Sequence, residues 1–354
     1  MSARLPSYLR RRVGIQILAL LAVLTAMMQL LELLDVTTEI LQRGQGVGGL
    51  AYYALLRTPA ELLLSLPLAV LLGAATSLHA MARGNEITAM RASGVSMMRL
   101  FRWFLPLLLL LASVQLALLQ TAVPRAEAEL KRWWKANTPA NEQSAPLWVS
   151  TRSGTVSIDT ISPDGRELRG VRIYSRHAGL LVARVRAAGA EWTGRGWQLR
   201  DVSELRLEAD GPRRLHEDAR EWQTNLHPDE VLRLDLVRPQ LSSMMLADVI
   251  AGSRVGSQPL SYYQTALYRS FAAPFGVFVM LLLALPTAAT QPRYSGGGRE
   301  MLMALVLGLG FLLFDGIVAS LGSSGQLPPL PTALAAPLLF AVIGLLRLWK
   351  CERL

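Results

Sequence analysis

Arg83–Arg102 reads RGNEITAMRASGVSMMRLFR, a polar stretch between two long apolar runs. Leu62–Met81 precedes it and Trp103–Val123 follows it, and neither run holds an Asp, Glu, Lys or Arg. Each is long enough to cross a hydrocarbon core of roughly 30 Å, which takes about 20 helical residues. The stretch is therefore a short connection between two membrane helices. It carries Arg83, Arg91, Arg99 and Arg102 against one acid, Glu86, and arginine-rich connections stay on the cytoplasmic side. Ile87, Met90 and Arg91 fall at helical spacing from Arg83 and Glu86, and Ser93-Gly94 marks a helix end. The spacing predicts a short helix over 83–94 at the cytoplasmic membrane surface. One reading makes it a plain topology anchor; the other makes it a docking element for a cytoplasmic partner. A lone glutamate spoils the positive bias an anchor needs, and it is a natural hydrogen-bond acceptor for a partner's arginine.

The segment HAMARGNEITAMRASGVS resembles the coupling segment of the LptF/LptG lipopolysaccharide-export permeases, whose pattern is close to E-x-x-x-M-x-A-[SC]-G. Glu86, Met90, Ala92, Ser93 and Gly94 match that pattern. LSLPLAVLLG before it, EWQTNLHPDEV in the large loop and FLLFDGIVASLG near the end are similar to the LptG branch in particular. One motif is weak; four in order, with matching spacing, carry the resemblance over nearly the whole chain.

The net charge of +10 invites a nucleic-acid reading. Its distribution argues against one. Of 36 basic and 26 acidic residues, 20 and 18 lie in 122–258, which leaves 16 and 8 elsewhere. The excess sits beside the apolar runs, as orientation in a membrane requires. The single Cys351 excludes an intramolecular disulfide.

Arg4, Arg10, Arg11 and Arg12 precede the uncharged run Val13–Leu31. A signal peptide shares this polarity, but its apolar region is shorter and ends at a small-residue cleavage site. Here Glu32 and Asp35 follow, which predicts a retained first helix. A second helix is expected from near Tyr52, bent by Pro59 and Pro67, and a third over Trp103–Val123. The fourth to sixth are Ser270–Gln291, Met301–Leu321 and Leu330–Leu346. Both ends and both short basic loops then fall on the cytoplasmic side of the inner membrane, and 122–258 falls in the periplasm.

Between helices three and four lies a polar, helical stretch, Arg125–Asn137, then short alternating segments. These are Leu147–Thr151, Thr155–Ile161, Gly170–Tyr174, Leu180–Val185, Gly196–Val202 and Glu204–Leu207. Turn residues such as Ser162-Pro163-Asp164-Gly165 and Asp210-Gly211-Pro212 separate them. Short strands at regular spacing predict a sandwich or jelly-roll. The fold class is thus six transmembrane helices with an inserted all-β, jelly-roll-like domain. The expected division is 1–123 for helices one to three, 124–260 for the β domain and 261–354 for helices four to six.

Lys131, Lys135 and Lys350 are the only lysines, and no G-x-x-x-x-G-K-[ST] is present. The chain is therefore expected not to hydrolyse ATP itself and to need no cofactor. His177, His216 and His227 are scattered, without metal spacing, and read as surface residues. Asp315 interrupts the fifth run; it is either a buried hydrogen-bonding group or a gate or substrate-lining residue. Lys131, Arg132 and Lys135 lie just past the third helix, beside Trp133 and Trp134. They read either as an interfacial cluster with snorkelling side chains or as a phosphate-binding cluster.

The resemblance implies more. Arg83, Glu86, Met90, Arg91, Ser93 and Gly94 would couple to an LptB-like ATPase dimer. An LptF-like permease, an LptC-like single-span protein and an LptA-like periplasmic bridge would complete the assembly. Lys131, Arg132 and Lys135, with Asp35, Arg43 and Asp315, would meet the lipopolysaccharide. The family often carries a lysine near the end of the first helix where this chain has Glu32, so Arg43 is the expected substitute. Rival readings are the LptF paralogue, a periplasmic sensor and a secondary transporter. A sensor of this kind needs an output domain, and only Arg347–Leu354 follow the last run. A secondary transporter favours broken helices with paired charges near the midplane, and only Asp315 fits.

Overall fold

The computed structural model describes residues 4–352 apart from 138–146, 152–153, 163, 178–179, 195, 209–210, 225, 229–230, 232–241, 253–257 and 290–296. The chain divides into two compact units, one of Met1–Asn137 with Thr265–Leu354 and one of Thr138–Gln264.

The first unit is helical. Among the described residues, six helices are long and apolar enough to cross a membrane. Helix α1 runs over Arg4–Gln42 and α2 over Gly46–Arg83. The short α3, Glu86–Ala92, leads to α4, Met97–Ala117. A π turn, Leu118–Ala122, then joins α4 to α5, Val123–Ala136. The third span therefore continues through the polar stretch that composition had set apart. Pro124 crowds the carbonyl one turn back and offers no N–H, and the π turn precedes it where that crowding is taken up.

All six spans outrun their apolar cores. The helix α1 extends well beyond Val13–Leu31 at both ends, because charged residues at the water interface are good helix formers and end nothing. Pro59 and Pro67 both lie inside α2. Where the fold buries side chains it does so tightly: Leu71, Leu78, Phe104 and Leu108 are fully enclosed. A Cβ on Gly73 of α2 would come within 2.7 Å of the Ile17 Cα on α1, so these backbones meet at a point only glycine permits. Leu18, Leu110, Leu313 and Leu346 point outward, as hydrocarbon-facing positions should.

The second unit is built on a seven-stranded antiparallel sheet. Its strands are β1 Leu147–Thr151, β2 Gly154–Ile158, β3 Thr160–Ile161, β4 Glu167–His177, β5 Leu180–Trp192, β6 Trp197–Glu208 and β7 Gly211–Trp222. The order is β1-β2-β4-β5-β6-β7, with β3 paired to β4. Val149, Val156, Val171, Ala187, Leu199 and Val202 belong to one buried cluster; on β6 the inward positions shift parity between Leu199 and Val202, at Asp201 with its left-handed φ of 52. Trp197 is fully buried and donates its indole N–H to the Leu226 carbonyl at 2.7 Å.

Two strand readings are corrected. Gly196–Val202 and Glu204–Leu207 form one strand, β6, because Ser203 stays in the ladder with Arg186 and His216. The strand β7 was not expected. Its sequence GPRRLHEDAREW shows no apolar alternation. It is held by its backbone ladder to β6 over Trp197–Glu208. After the sheet comes α6, Ser243–Ile250, capped by the Ser242 hydroxyl.

The remaining helices belong mainly to the first unit. They are α7, Leu260–Ala284, with a 3-10 turn at Leu285–Ala289, then α8, Gly297–Ser323, and α9, Pro329–Glu352. Proline opens α9, where its missing N–H costs nothing.

Candidate functional site

The helix α3 is held by a two-residue hinge and two apolar anchors. Asn85 takes the left-handed conformation, φ 58, between α2 and α3. Asparagine is among the few side chains that tolerate it. Ile87 and Met90 are buried in the helical core, and α3 packs on α2 and on the turn Leu285–Ala289. Ser93 donates its hydroxyl to the Met90 carbonyl at 2.8 Å, and Gly94 turns the chain at φ 87.

Both charged ends of α3 are tied to other helices. Glu86 accepts from Arg12 Nη1 at 2.5 Å and from the Tyr8 hydroxyl at 3.3 Å, both on α1. Arg12 also donates to the Tyr8 oxygen at 2.7 Å. Arg91 donates to the Cys351 carbonyl at 3.2 Å, on the last turn of α9. Glu86, expected to meet a partner's arginine, thus has a cation within its own chain, Arg12. Sequence order hid this pair, because the two residues are 74 positions apart. Met90, expected in the coupling segment, is buried as a core anchor of α3. On and beside α3, Arg83, Gly84, Asn85, Thr88, Ala89, Ala92, Ser93 and Gly94 are exposed. Apart from Arg83 these are small, and a small-residue surface lets another backbone approach closely.

The second group of candidates lies where α1, α2 and α5 meet. Trp133 and Trp134 of α5 pack on each other and on Tyr52 and Tyr53 of α2, with centroids 5.7–6.0 Å apart. Such rings suit the level of the lipid headgroups. Lys131 lies 3.9 Å from Glu127. Arg132 is largely exposed and pairs with Glu129 at 2.7 Å. Lys135 lies on α5, but its side chain is outside the described residues.

Arg43, the expected phosphate ligand, is already engaged within the chain. Its side chain is 8% exposed, ion-paired to Glu39, and its guanidinium lies 4.5 Å from the centre of the Trp134 ring. Local geometry prevails here: Glu39 stands one turn back and the indole covers the cation. Asp35 is exposed on α1. Glu32, by contrast, accepts from the Tyr53 hydroxyl at 2.7 Å and from Arg57. Arg57 reaches Glu127 as well, at 3.4 Å.

Asp315 of α8 is paired with Arg269 of α7, side chain to side chain at 2.6 Å and guanidinium to the Asp315 carbonyl at 3.0 Å. Of its two readings, the structural one has a partner to support it. Arg12, Arg57 and Arg269 are the functional-looking residues that sequence reasoning missed. Arginines inside long helices were the available signal, and Arg269 was passed over because the fourth apolar run begins one residue later. Among the described residues, no three His, Cys, Asp or Glu side chains gather as metal ligands.

Comparison with known proteins extends this picture over the full length. The family model described as lipopolysaccharide export system permease LptF/LptG matches residues 7–350. The lipopolysaccharide export system permease protein LptG of Escherichia coli strain K12 is 25% identical over 351 residues, 96% of each chain. The protein of the same description from Haemophilus influenzae is 23% identical over 298 residues, covering 81% of this chain and 82% of the relative. The match takes in all six spans, the α3 connection and the inserted sheet, and the chain belongs to the LptF/LptG family of lipopolysaccharide export system permeases.

Proposed function

We propose that the chain is a permease subunit of an ATP-driven lipopolysaccharide exporter, on the LptG side of a permease pair. It extracts lipopolysaccharide from the inner membrane beside an LptF-like subunit and hands it to an LptC-like protein and an LptA-like periplasmic bridge. Both termini are cytoplasmic and the β domain is periplasmic. The observation that carries the reading is the family match from residue 7 to 350, which takes in the spans and the inserted sheet. The arginines flanking the spans support the orientation.

An LptB-like ATPase dimer supplies the hydrolysis and docks on the exposed surface on and beside α3, with Arg83, Thr88, Ala89, Ala92, Ser93 and Gly94. Glu86 and Arg91 position that face, by way of Arg12 and Cys351, rather than waiting for a partner. Arg132 and Lys135 are the α5 cations proposed to meet the lipid's phosphates, with Lys131 beside them.

The test is ATPase pull-down and lipopolysaccharide transfer in proteoliposomes, comparing Glu86→Ala with Arg12→Ala. If Glu86 acts through α1, the two variants lose ATPase binding to a similar extent, and the double variant is no worse than either. The pair is about one-third exposed, so the intramolecular part is on the order of 1 kcal/mol or less. A loss confined to Glu86→Ala would return the carboxylate to direct contact with the ATPase. Normal assembly and transfer in both would remove α3 from coupling altogether.

A further inference from the structure

The strand register lays two rows of side chains across the sheet. One row runs through Ser157, Arg172, Arg186, Ser203 and His216, from β2 to β7. The row beside it runs through Thr155, Tyr174, Arg184, Leu205 and Arg214. Ile173 and Val185 belong to the buried cluster, so their sequence neighbours Arg172, Tyr174, Arg184 and Arg186 stand on the opposite face. The two rows hold four arginines and no acid. Asp159 pairs with Arg172 at 2.7 Å, whereas among the described residues Arg184, Arg186 and Arg214 have no carboxylate partner. All three are exposed. Arg172 and Arg186 stand directly opposite each other, and like charges so placed cost stability. Trp148 of β1 is 48% exposed and stacks on Tyr174, with ring centroids 5.7 Å apart and planes 26° from parallel.

We infer that this outer face of the sheet binds a phosphorylated saccharide. Resting on the proposed function, that ligand is the sugar–phosphate part of the lipopolysaccharide being exported. Neighbouring strands lie about 4.8 Å apart, so guanidinium forks on β4 and β5 can clasp one phosphate from two sides. The planar fork matches phosphate oxygens two at a time. An anion held there also relieves the repulsion between Arg172 and Arg186. The exposed indole offers a flat apolar ring face to the C–H face of a sugar. A peptide that extended the sheet would bind at an edge strand. These groups lie across the face instead, which favours a ligand read by side chains.

The experiment uses the full chain in nanodiscs of zwitterionic lipid. It is titrated calorimetrically with the lipid-free oligosaccharide of lipopolysaccharide, phosphorylated or dephosphorylated. Wild type should bind the phosphorylated form and should lose about tenfold or more in affinity without the phosphates. Arg184→Ala combined with Arg186→Ala should lose as much, and Trp148→Ala should weaken both forms. Arg184→Lys with Arg186→Lys keeps the charge without the fork and should recover only part of the affinity. Equal binding of the two forms, or unchanged affinity in the double-alanine protein, would overturn the inference. Inorganic phosphate binding as tightly as the oligosaccharide would overturn it too, by reducing the face to a general anion site. Wild-type lipopolysaccharide transfer in proteoliposomes without oligosaccharide binding would strike this site alone and leave the proposed function standing. Binding without transfer would strike the proposed function and leave a saccharide site on the sheet.

Discussion

Glu204 of β6 is a residue whose surroundings set its charge. Its side chain is 5% exposed and accepts from Arg220 at 2.7 Å and Arg206 at 2.9 Å. Burial alone would push its carboxyl up, but the bonds from Arg220 and Arg206 outweigh this and hold it below the usual range. A depressed folded value means that stability is fully present above the ordinary glutamate pKa of about 4.3. It is lost as pH falls through the folded value. Trp197 and Trp222 lie in the same buried cluster and report on it by fluorescence. Glu204→Gln should flatten the acid limb of unfolding followed through them. It should also lower stability near neutral pH by roughly 1–3 kcal/mol, since a charged acceptor is lost from a buried pair. An unchanged acid limb would assign the transition to other carboxylates.

Among the elements, the α1–α2 seam is the most demanding. Gly73 meets the Ile17 backbone, not a movable side-chain end. By contrast, a Cβ on Gly308 would meet first the end of the Leu71 side chain, at 2.1 Å, which can rotate away. Gly73→Ala must therefore separate two helices, whereas Gly308→Ala asks only for a new rotamer. The expected cost is about 1–3 kcal/mol at Gly73 and less at Gly308, read as Tm of the purified chain. Equal shifts would mean that α1 yields to the extra methyl. The same scale explains β7. Twelve residues with hardly an apolar partner stay extended because the β6 ladder supplies their backbone bonds.

For the whole molecule, orientation in the membrane is the property to test. Cys351 is the only cysteine, so a Cys351→Ser background makes single-cysteine labelling clean. Arg166 and Thr88 are both exposed. In intact cells Arg166→Cys should react with a membrane-impermeant maleimide, and Thr88→Cys should react only after the cytoplasm is opened. The reverse pattern would invert the protein and remove α3 from any cytoplasmic ATPase.

Much of this architecture was legible in one dimension. Six apolar runs, the arginines beside them and the alternating segments between the third and fourth follow from composition and period alone. These express how each stretch meets its solvent, lipid or water, and that is a local property. The α3 motif was legible for the same reason, since its apolar anchors and helix end lie within a dozen residues. What no local property determines is which charges meet. Arg12 with Glu86, Arg57 with Glu32 and Glu127, and Arg269 with Asp315 join residues 25–74 positions apart. Folding brings them together because a charge within a buried bundle must find a partner. Sequence placed Glu86, Arg43 and Asp315 among residues open to a ligand or partner. Tertiary packing supplies Glu86 and Asp315 with counter-ions, whereas Arg43 finds Glu39 one turn back and owes only its indole cover to the fold; the small residues on and beside α3 are left as the open surface.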